Sequence, residues 1–157
     1  MALGVRGMMM QRDYILRVIE ELGAVLIALR RAILGGSARA ADVEDNLRRA
    51  SAGAGMDLDL ARAASIDALP AMMAPTGQVD PARCWLLAEV LMTDGVSLLS
   101  SGDTELAHSS LAKAAALFTL VAPQGAFLTG FPEATERIEE IEAMLAGITP
   151  SGGRRSS

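Results

Sequence analysis

The stretch that decides the fold is QRDYILRVIEELGAVLIALRR, residues 11 to 31. Charged residues stand at both of its ends, but no charged residue stands between Glu21 and Arg30. Apolar side chains recur at the three- and four-residue spacing of an α-helix, in two neighbouring stripes. Because each stripe needs a packing partner, the pattern predicts a helix that is covered on more than one side.

The two stripes differ in spacing. The first has heptad-like spacing and consists of Ile15, Val18, Leu22, Val25 and Leu29. The second lies beside it and consists of Ile19, Leu26 and Ile33. Two helices of the same chain could cover this helix, or one such helix together with a second subunit. We expect the arrangement with a second subunit. The helix is predicted to run from Gln11 to Leu34, with Gly35 and Gly36 as its stop.

The remaining sequence predicts further helices and few strands. Helices are predicted from Asp42 to Arg49 and from Asp57, and a further turn is predicted over Ile66 to Leu69, with Ser65 as its cap and Pro70 at its end. Three more helices are predicted over residues 82–100, 104–121 and 133–146. The fold class is therefore all-α, with five or six helices in a single domain over residues 11–146. Asp80 and Pro81 mark the start of the helix over 82–100, which has few charged residues and should be central, and the last helix should cap the domain. Residues 1–10 are expected to be flexible and residues 147–157 disordered.

Composition narrows the class of protein. Hydrophobic residues make up 51% of the chain and aromatic residues only 3%, which favours helix packing. The net charge of −5 argues against a nucleic-acid partner. The single cysteine, Cys84, has no second Cys or His at metal-ligand spacing, so we expect a reducing cytoplasm and neither metal nor cofactor. The uncharged stretch from Leu22 to Leu29 is too short to span a membrane, and the one from Ala114 to Pro132 is interrupted by Pro123.

Residues 88–121 resemble one tetratricopeptide repeat, a helix hairpin of about 34 residues. The matching positions are Leu91, Gly95, Leu98, Gly102, Asp103, Ala107, Leu111 and Ala114. Asp94 stands where that family usually has leucine, and Thr119 stands where it usually has proline. The resemblance implies an αα-hairpin that docks peptides or proteins without chemistry. The alternative is that any close-packed hairpin selects small residues at such spacing.

The opening of the chain carries a second resemblance. Its string D-Y-I-x-R-x-I-E consists of Asp13, Tyr14, Ile15, Arg17, Ile19 and Glu20. The string is similar to the N-terminus of a small uncharacterised bacterial all-helical family, in which it precedes a helix-hairpin body. The resemblance implies the same architecture here and carries no activity.

Candidate interaction residues fall in two regions. In the first helix they are Tyr14 as an anchor, with Arg17, Val18, Leu22, Val25 and Leu29. The pairs Asp13–Arg17 and Arg17–Glu21 have i,i+4 spacing, which favours surface ion pairs. The second region is the apolar loop over residues 125–132, with Phe127 and Phe131. This loop either packs over the core or forms a docking surface.

Candidates for chemistry are weak in the sequence. His108 precedes two serines, but neighbours on a helix point about 100° apart and no glycine elbow presents a serine. Cys84 stands near a helix N-terminus, where a thiolate is stabilised, but a lone cysteine is typical of a core. A basic patch for phosphates or acidic lipids would consist of Arg30, Arg31, Arg39, Arg48 and Arg49. A solvated face is the reading we favour, because no aromatic residues are interleaved and nearby acids dilute the charge.

These observations favour a non-enzymatic scaffold or adaptor that is homodimeric through its first helix and binds a further protein partner. No catalytic, cofactor-binding or metal-binding residue is assigned. Two alternatives remain open. One is a peripheral membrane protein whose first helix lies in the lipid interface. The other is a small enzyme whose groups are scattered along the sequence.

Overall fold

The computed structural model describes residues 2–74, 76–123 and 131–148, with side chains described from residue 12 onward. Over these ranges every regular element is a helix, which confirms the all-α fold class. The described residues form seven helices, more than the five or six predicted. They are α1 (Ala2–Leu34), α2 (Ala40–Gly53), α3 (Leu58–Ala63), α4 (Leu69–Met72), α5 (Pro81–Ser100), α6 (Thr104–Val121) and α7 (Glu133–Ile148).

Helix α5 is the centre of the fold. Every residue from Cys84 to Val96 is buried, as its nearly uncharged sequence predicts. Its N-terminus is capped by Asp80, whose carboxylate accepts hydrogen bonds from the backbone N–H groups of Ala82 (3.0 Å) and Arg83 (3.4 Å). Helices α1, α2 and α6 all pack against it.

Helices α5 and α6 form an antiparallel hairpin. The turn between them contains Gly102 at a φ of +85°, a conformation that L side chains rarely adopt. Asp103 caps α6 by accepting a hydrogen bond from the N–H of Leu106 at 3.3 Å. Gly95 permits close approach, because a Cβ atom there would lie 2.6 Å from the side chain of Leu111. The predicted helix over 104–121 is confirmed.

Helix α1 runs parallel to α5, since Gly23 lies against Trp85 and Arg30 reaches Glu89. At 33 residues it is about 50 Å long, against about 30 Å for α5, so its N-terminal part extends past the start of α5. It begins at Ala2, well before the predicted Gln11. Residues 2–10, which were predicted to precede the helix, therefore continue it, and the flexibility expected of this segment stays a prediction.

Two helices are longer than predicted. Helix α2 begins before Asp42, which lies in its first turn, and ends at Gly53 beyond the predicted Arg49. Helix α7 continues to Ile148, past the predicted end at residue 146. The tail over residues 149–157 lies outside the described residues.

Pro70 has a different role from the one predicted. The sequence suggested a turn over Ile66 to Leu69 that Pro70 ends, whereas α4 starts at Leu69 and holds Pro70 in its first turn. Proline is well tolerated there because the missing N–H would have no helical partner. The predicted capping role of Ser65 is met in part, since its Oγ accepts a hydrogen bond from the N–H of Ala68 at 3.1 Å.

Candidate interaction surface

The side of α1 that points away from the core forms an outward face, which we define by Tyr14, Val18, Ala24, Val25 and Ala28. Tyr14 is 66% exposed and Val25 44% exposed. Ala24 and Ala28 are also exposed, and Val18 is half-buried. These positions share one side of the helix because residues three, four and seven apart are neighbours there. An apolar side chain thus faces solvent in the middle of α1.

The opposite side of α1 is covered by this chain. Ile19, Leu26 and Ile33 are buried against the core. Leu22 and Leu29, two of the predicted interaction residues, are half-buried and pack against the same core, so they lie outside the outward face as defined here. Within the chain the neighbours of α1 are α2 and α5, which leave the outward face open, and its cover by a second subunit stays a prediction. The apolar residues of α1 occupy a wider arc of the helix than the arc that its neighbours α2 and α5 cover.

Charged residues lie within the outward face, because Glu21 stands three, four or seven residues from each of its five defining positions. Arg17, Glu21 and Arg31 are exposed. The ion pairs predicted for Asp13–Arg17 and Arg17–Glu21 do not form among the described side chains; an i,i+4 ion pair forms instead in α2, between Glu44 and Arg48 at 2.8 Å. Arg17 and Glu21 therefore keep their charges free of these intrahelical contacts.

Phe131 has a partner within the chain. Its ring stacks on that of Trp85, with centroids 5.5 Å apart and planes inclined by 12°. Its backbone N–H donates to the carbonyl of Val121 at 2.9 Å. Phe131 is thus half-buried against the core, and we leave it out of the proposed interaction surface. Phe127, the other predicted loop residue, lies outside the described residues.

A cleft of about 620 Å³ opens between the N-terminal half of α1 and the start of α5. Sequence reasoning missed it, because its walls come from segments far apart in the chain. Its lining residues are Arg12, Ile15, Leu16, Ile19, Thr76, Gln78, Val79, Asp80, Pro81, Ala82, Arg83 and Phe131. The lining thus combines apolar residues with two arginines and one aspartate.

A buried ionic cluster joins three helices inside the fold. Glu89 of α5 is fully buried, with Oε1 2.6 Å from Nη1 of Arg30 and Oε2 3.2 Å from Nε of Arg137. Arg30 Nη1 also donates to Thr93 Oγ1 at 3.0 Å. A buried carboxylate is stable only when it is paired in this way. The cluster therefore serves to tie α1 and α7 to α5.

A second polar network surrounds Asp94, the other acid in the buried part of α5. Its carboxylate accepts a hydrogen bond from Ser110 Oγ at 2.8 Å and forms an ion pair with Arg62 at 2.8 Å. The same guanidinium donates two hydrogen bonds to Glu44, at 2.8 and 2.9 Å. This network links α2, α3, α5 and α6. The sequence indicated this network only through Asp94, an acidic residue at a position where the tetratricopeptide repeat usually has leucine.

Electrostatic effects shift two pKa values in this region, toward the charged form for Glu44 and toward the neutral form for Lys113. The hydrogen bond from Arg62 lowers the pKa of Glu44 below its ordinary 4.5. Lys113 is buried, and burial lowers its pKa. Its ammonium donates to the carbonyls of Ala61 (3.3 Å) and Arg62 (2.5 Å), which end helix α3. Lys113 thus satisfies carbonyls that the short helix leaves without partners.

The predicted basic patch does not assemble. Arg30 is buried against Glu89, and Arg48 is held by Glu44 (2.8 Å) and Asp59 (3.0 Å). With these two guanidinium groups neutralised, the five arginines do not form one surface. The hypothesis of a site for phosphates or acidic lipids at these residues was wrong.

The groups considered for chemistry are poorly placed. Burial, with the charge of Asp80, raises the pKa of Cys84 to about 12, so this thiol is protonated at neutral pH. His108 is exposed, whereas Ser110 is buried and bonded to Asp94. Among the described residues no group of three or more His, Cys, Asp or Glu side chains is arranged to hold a metal ion.

In the parts of the chain that the structure describes, none of the helices combines the length and apolar character that crossing a membrane requires.

Comparisons with protein families, with curated proteins and with solved structures found no match to this chain.

Proposed function

We propose that this protein is a non-enzymatic interaction module that forms a homodimer through the outward face of α1. The observation that carries the proposal is the 44% exposure of Val25 in the middle of a helix whose other side is well packed. Single exposed apolar residues are common, but a group of them on one side of a helix, as Tyr14, Val18 and Val25 form here, is typical of a contact surface. The buried ionic contacts, by comparison, serve packing, since their charges pair within the chain.

The charges around Val25 favour a second copy as the partner. Glu21 and Arg31 are both exposed and have opposite charge, and they stand on either side of Leu26 at equal separation. Ala24 and Ala28 are centred on the same residue. If two α1 helices pair antiparallel about Leu26, Glu21 of each copy lies near Arg31 of the other and the alanines meet. Such an arrangement is self-complementary, as a twofold dimer requires.

The test is the association state in solution. Sedimentation at micromolar concentration should show a dimer of the 16.4 kDa chain, and Val25→Glu should shift it to monomer. Leu106→Glu is a matched control, because Leu106 is 56% exposed on α6, away from this face, and it should leave the dimer intact. A wild-type protein that sediments only as monomer, or a Val25→Glu protein that remains dimeric, overturns the proposal.

We also infer an adaptor role for the hairpin of α5 and α6, in line with its resemblance to a tetratricopeptide repeat. Support comes from the close contact at Gly95 and from the exposed leucines of α6, Leu106 and Leu120. A homodimer would present two such hairpins, so that two copies of a partner protein could bind. Pull-down of a partner by wild type but not by Leu120→Glu tests this role, provided that the variant is still dimeric.

A membrane-surface role is the second candidate, favoured by exposed leucines on the other flank of α1. Leu16 is 36% exposed and Leu34 is 75% exposed. An apolar flank of this kind can lie in a lipid interface. Flotation with anionic vesicles separates the two proposals: the whole protein should float with them if the membrane role holds and should remain at the bottom if α1 pairs with a second copy.

A further inference from the structure

We propose that the cleft between α1 and the start of α5 binds a small molecule with one unbranched apolar chain and one carboxylate. Its apolar part would lie on Ile15, Ile19 and Phe131, and its carboxylate would contact Arg12 and Arg83. This binding site is separate from the outward face of α1, and the proposal does not depend on the homodimer.

The size and lining of the cleft suit such a ligand. Small-molecule sites usually have volumes of roughly 300 to 1,000 Å³, with apolar walls and a few polar groups that fix orientation. The cleft of about 620 Å³ lies within this range. Ile19 and Ala82 are buried in its wall, and Phe131 is held in place by its stacking on Trp85. These parts of the wall are packed against the core and so are present before any ligand binds.

The charges at the cleft select an anion. Arg12 and Arg83 carry two positive charges and Asp80 carries one negative charge, which leaves one positive charge uncompensated. The carboxylate of Asp80 is already engaged, since it caps α5 and its Oδ2 lies 3.8 Å from Nε of Arg83. Arg12 has no ion-pair partner among the described residues. Guanidinium groups bind carboxylates with two parallel hydrogen bonds, so a monocarboxylate matches both charge and geometry.

The protein contains its own reporter for this site. Trp85 is the only tryptophan of the chain, and it stacks on Phe131, which lines the cleft. Titration of the full-length protein with decanoate, below its micelle concentration, should therefore change tryptophan fluorescence in a saturable way. Decanol lacks the carboxylate and should bind at least tenfold more weakly. Decylammonium carries the opposite charge and should give no saturable change.

Two variants test the assignment of the residues. Arg12→Gln removes the unpaired guanidinium and should weaken decanoate binding about tenfold, the loss of one charge-assisted contact. Leu16→Glu places a carboxylate at the edge of the cleft and should abolish binding; Leu16 is 36% exposed, so the fold should tolerate it. Arg49→Gln is the control, because Arg49 is exposed on α2 outside the cleft, and it should bind as wild type does.

Three outcomes overturn the proposal. The first is a fluorescence change that does not saturate or that starts only at the micelle concentration. The second is equal binding of decanoate and decylammonium, which would show apolar adsorption without the charge selection. The third is unchanged decanoate affinity in both Arg12→Gln and Leu16→Glu, with circular dichroism showing that both variants are folded.

Discussion

Gly23 of α1 and Trp85 of α5 are in such close contact that a Cβ atom on Gly23 would lie 2.3 Å from Cη2 of the indole ring. The ring is rigid and buried, so it has no flexible end that could move aside. This contact sets how closely α1 approaches the central helix. It also explains a glycine in the interior of a helix, where glycine is otherwise unfavourable by roughly 0.5 to 1 kcal/mol relative to alanine.

Gly23→Ala should therefore destabilise the protein although alanine is the better helix former. We expect the free energy of unfolding to fall by about 1 to 3 kcal/mol, the usual cost of overpacking. Urea unfolding followed by circular dichroism measures it. Gly147→Ala is the control, because a Cβ atom at Gly147 meets no atom within 4 Å, and this change should be neutral or stabilise slightly. Equal effects of the two substitutions would contradict the close contact.

Glu89→Gln should be strongly destabilising. The change keeps the shape of the side chain but removes the negative charge that pairs with Arg30 and Arg137. Loss of one partner from a buried ionic cluster typically costs about 3 to 5 kcal/mol. Glu140→Gln is the matched control, because Glu140 pairs with Arg137 but is 52% exposed, and its loss should cost less than about 1 kcal/mol. If both variants unfold at the same urea concentration, the cluster is not a main support of the fold.

The ion pair of Glu44 with Arg62 should contribute a pH-dependent part of the stability. Because the pKa of Glu44 is lowered in the folded protein, this contribution is present above the ordinary pKa of 4.5 and is lost as the pH falls through the lower folded value. The wild type should thus exceed Glu44→Gln in stability at neutral pH, by less than about 1 kcal/mol since the pair is partly exposed. The difference should shrink in acid. A difference that is the same at neutral and strongly acidic pH would contradict the pairing.

Cys84 should be inert to a thiol-specific reagent in the folded protein. Its side chain is fully buried, and its pKa of about 12 leaves almost no thiolate at neutral pH. We expect one equivalent of thiol to react only after unfolding in urea. Ser101→Cys provides the control, because Ser101 is exposed in the turn before α6 and the new thiol should react in the native state. Rapid reaction of the native wild type would mean that the α5–α6 contact opens readily.

The sequence predicted the elements whose causes are local. The nearly uncharged run of α5 indicated a central helix, and Asp80 with Pro81 marked its start, because capping depends on adjacent residues. Gly102 and Asp103 marked the turn before α6 for the same reason. The start of α1 was missed because the methionine-rich segment before Gln11 lacks a stop signal as well as a clear amphipathic pattern.

The contacts of the buried charges could not be predicted in this way. Arg30 was considered as one of five surface arginines, yet its partner Glu89 is 59 residues away. Likewise the exposure of Val25 depends on how much of α1 its neighbours cover, which spacing alone does not specify. The cleft depends on α1 and the start of α5 lying side by side, and therefore on the tertiary fold.

The separation between α1 and its partner helix has a consequence for synthesis on the ribosome. Glu89 is translated 59 residues after Arg30, which at usual elongation rates corresponds to roughly 3 to 12 seconds. Throughout that interval Arg30 of the emerging α1 has no ion-pair partner, and the apolar side of the helix is not yet covered. We therefore expect chaperones to bind this nascent chain, and contact with another nascent copy would cover part of α1 before α5 is synthesised.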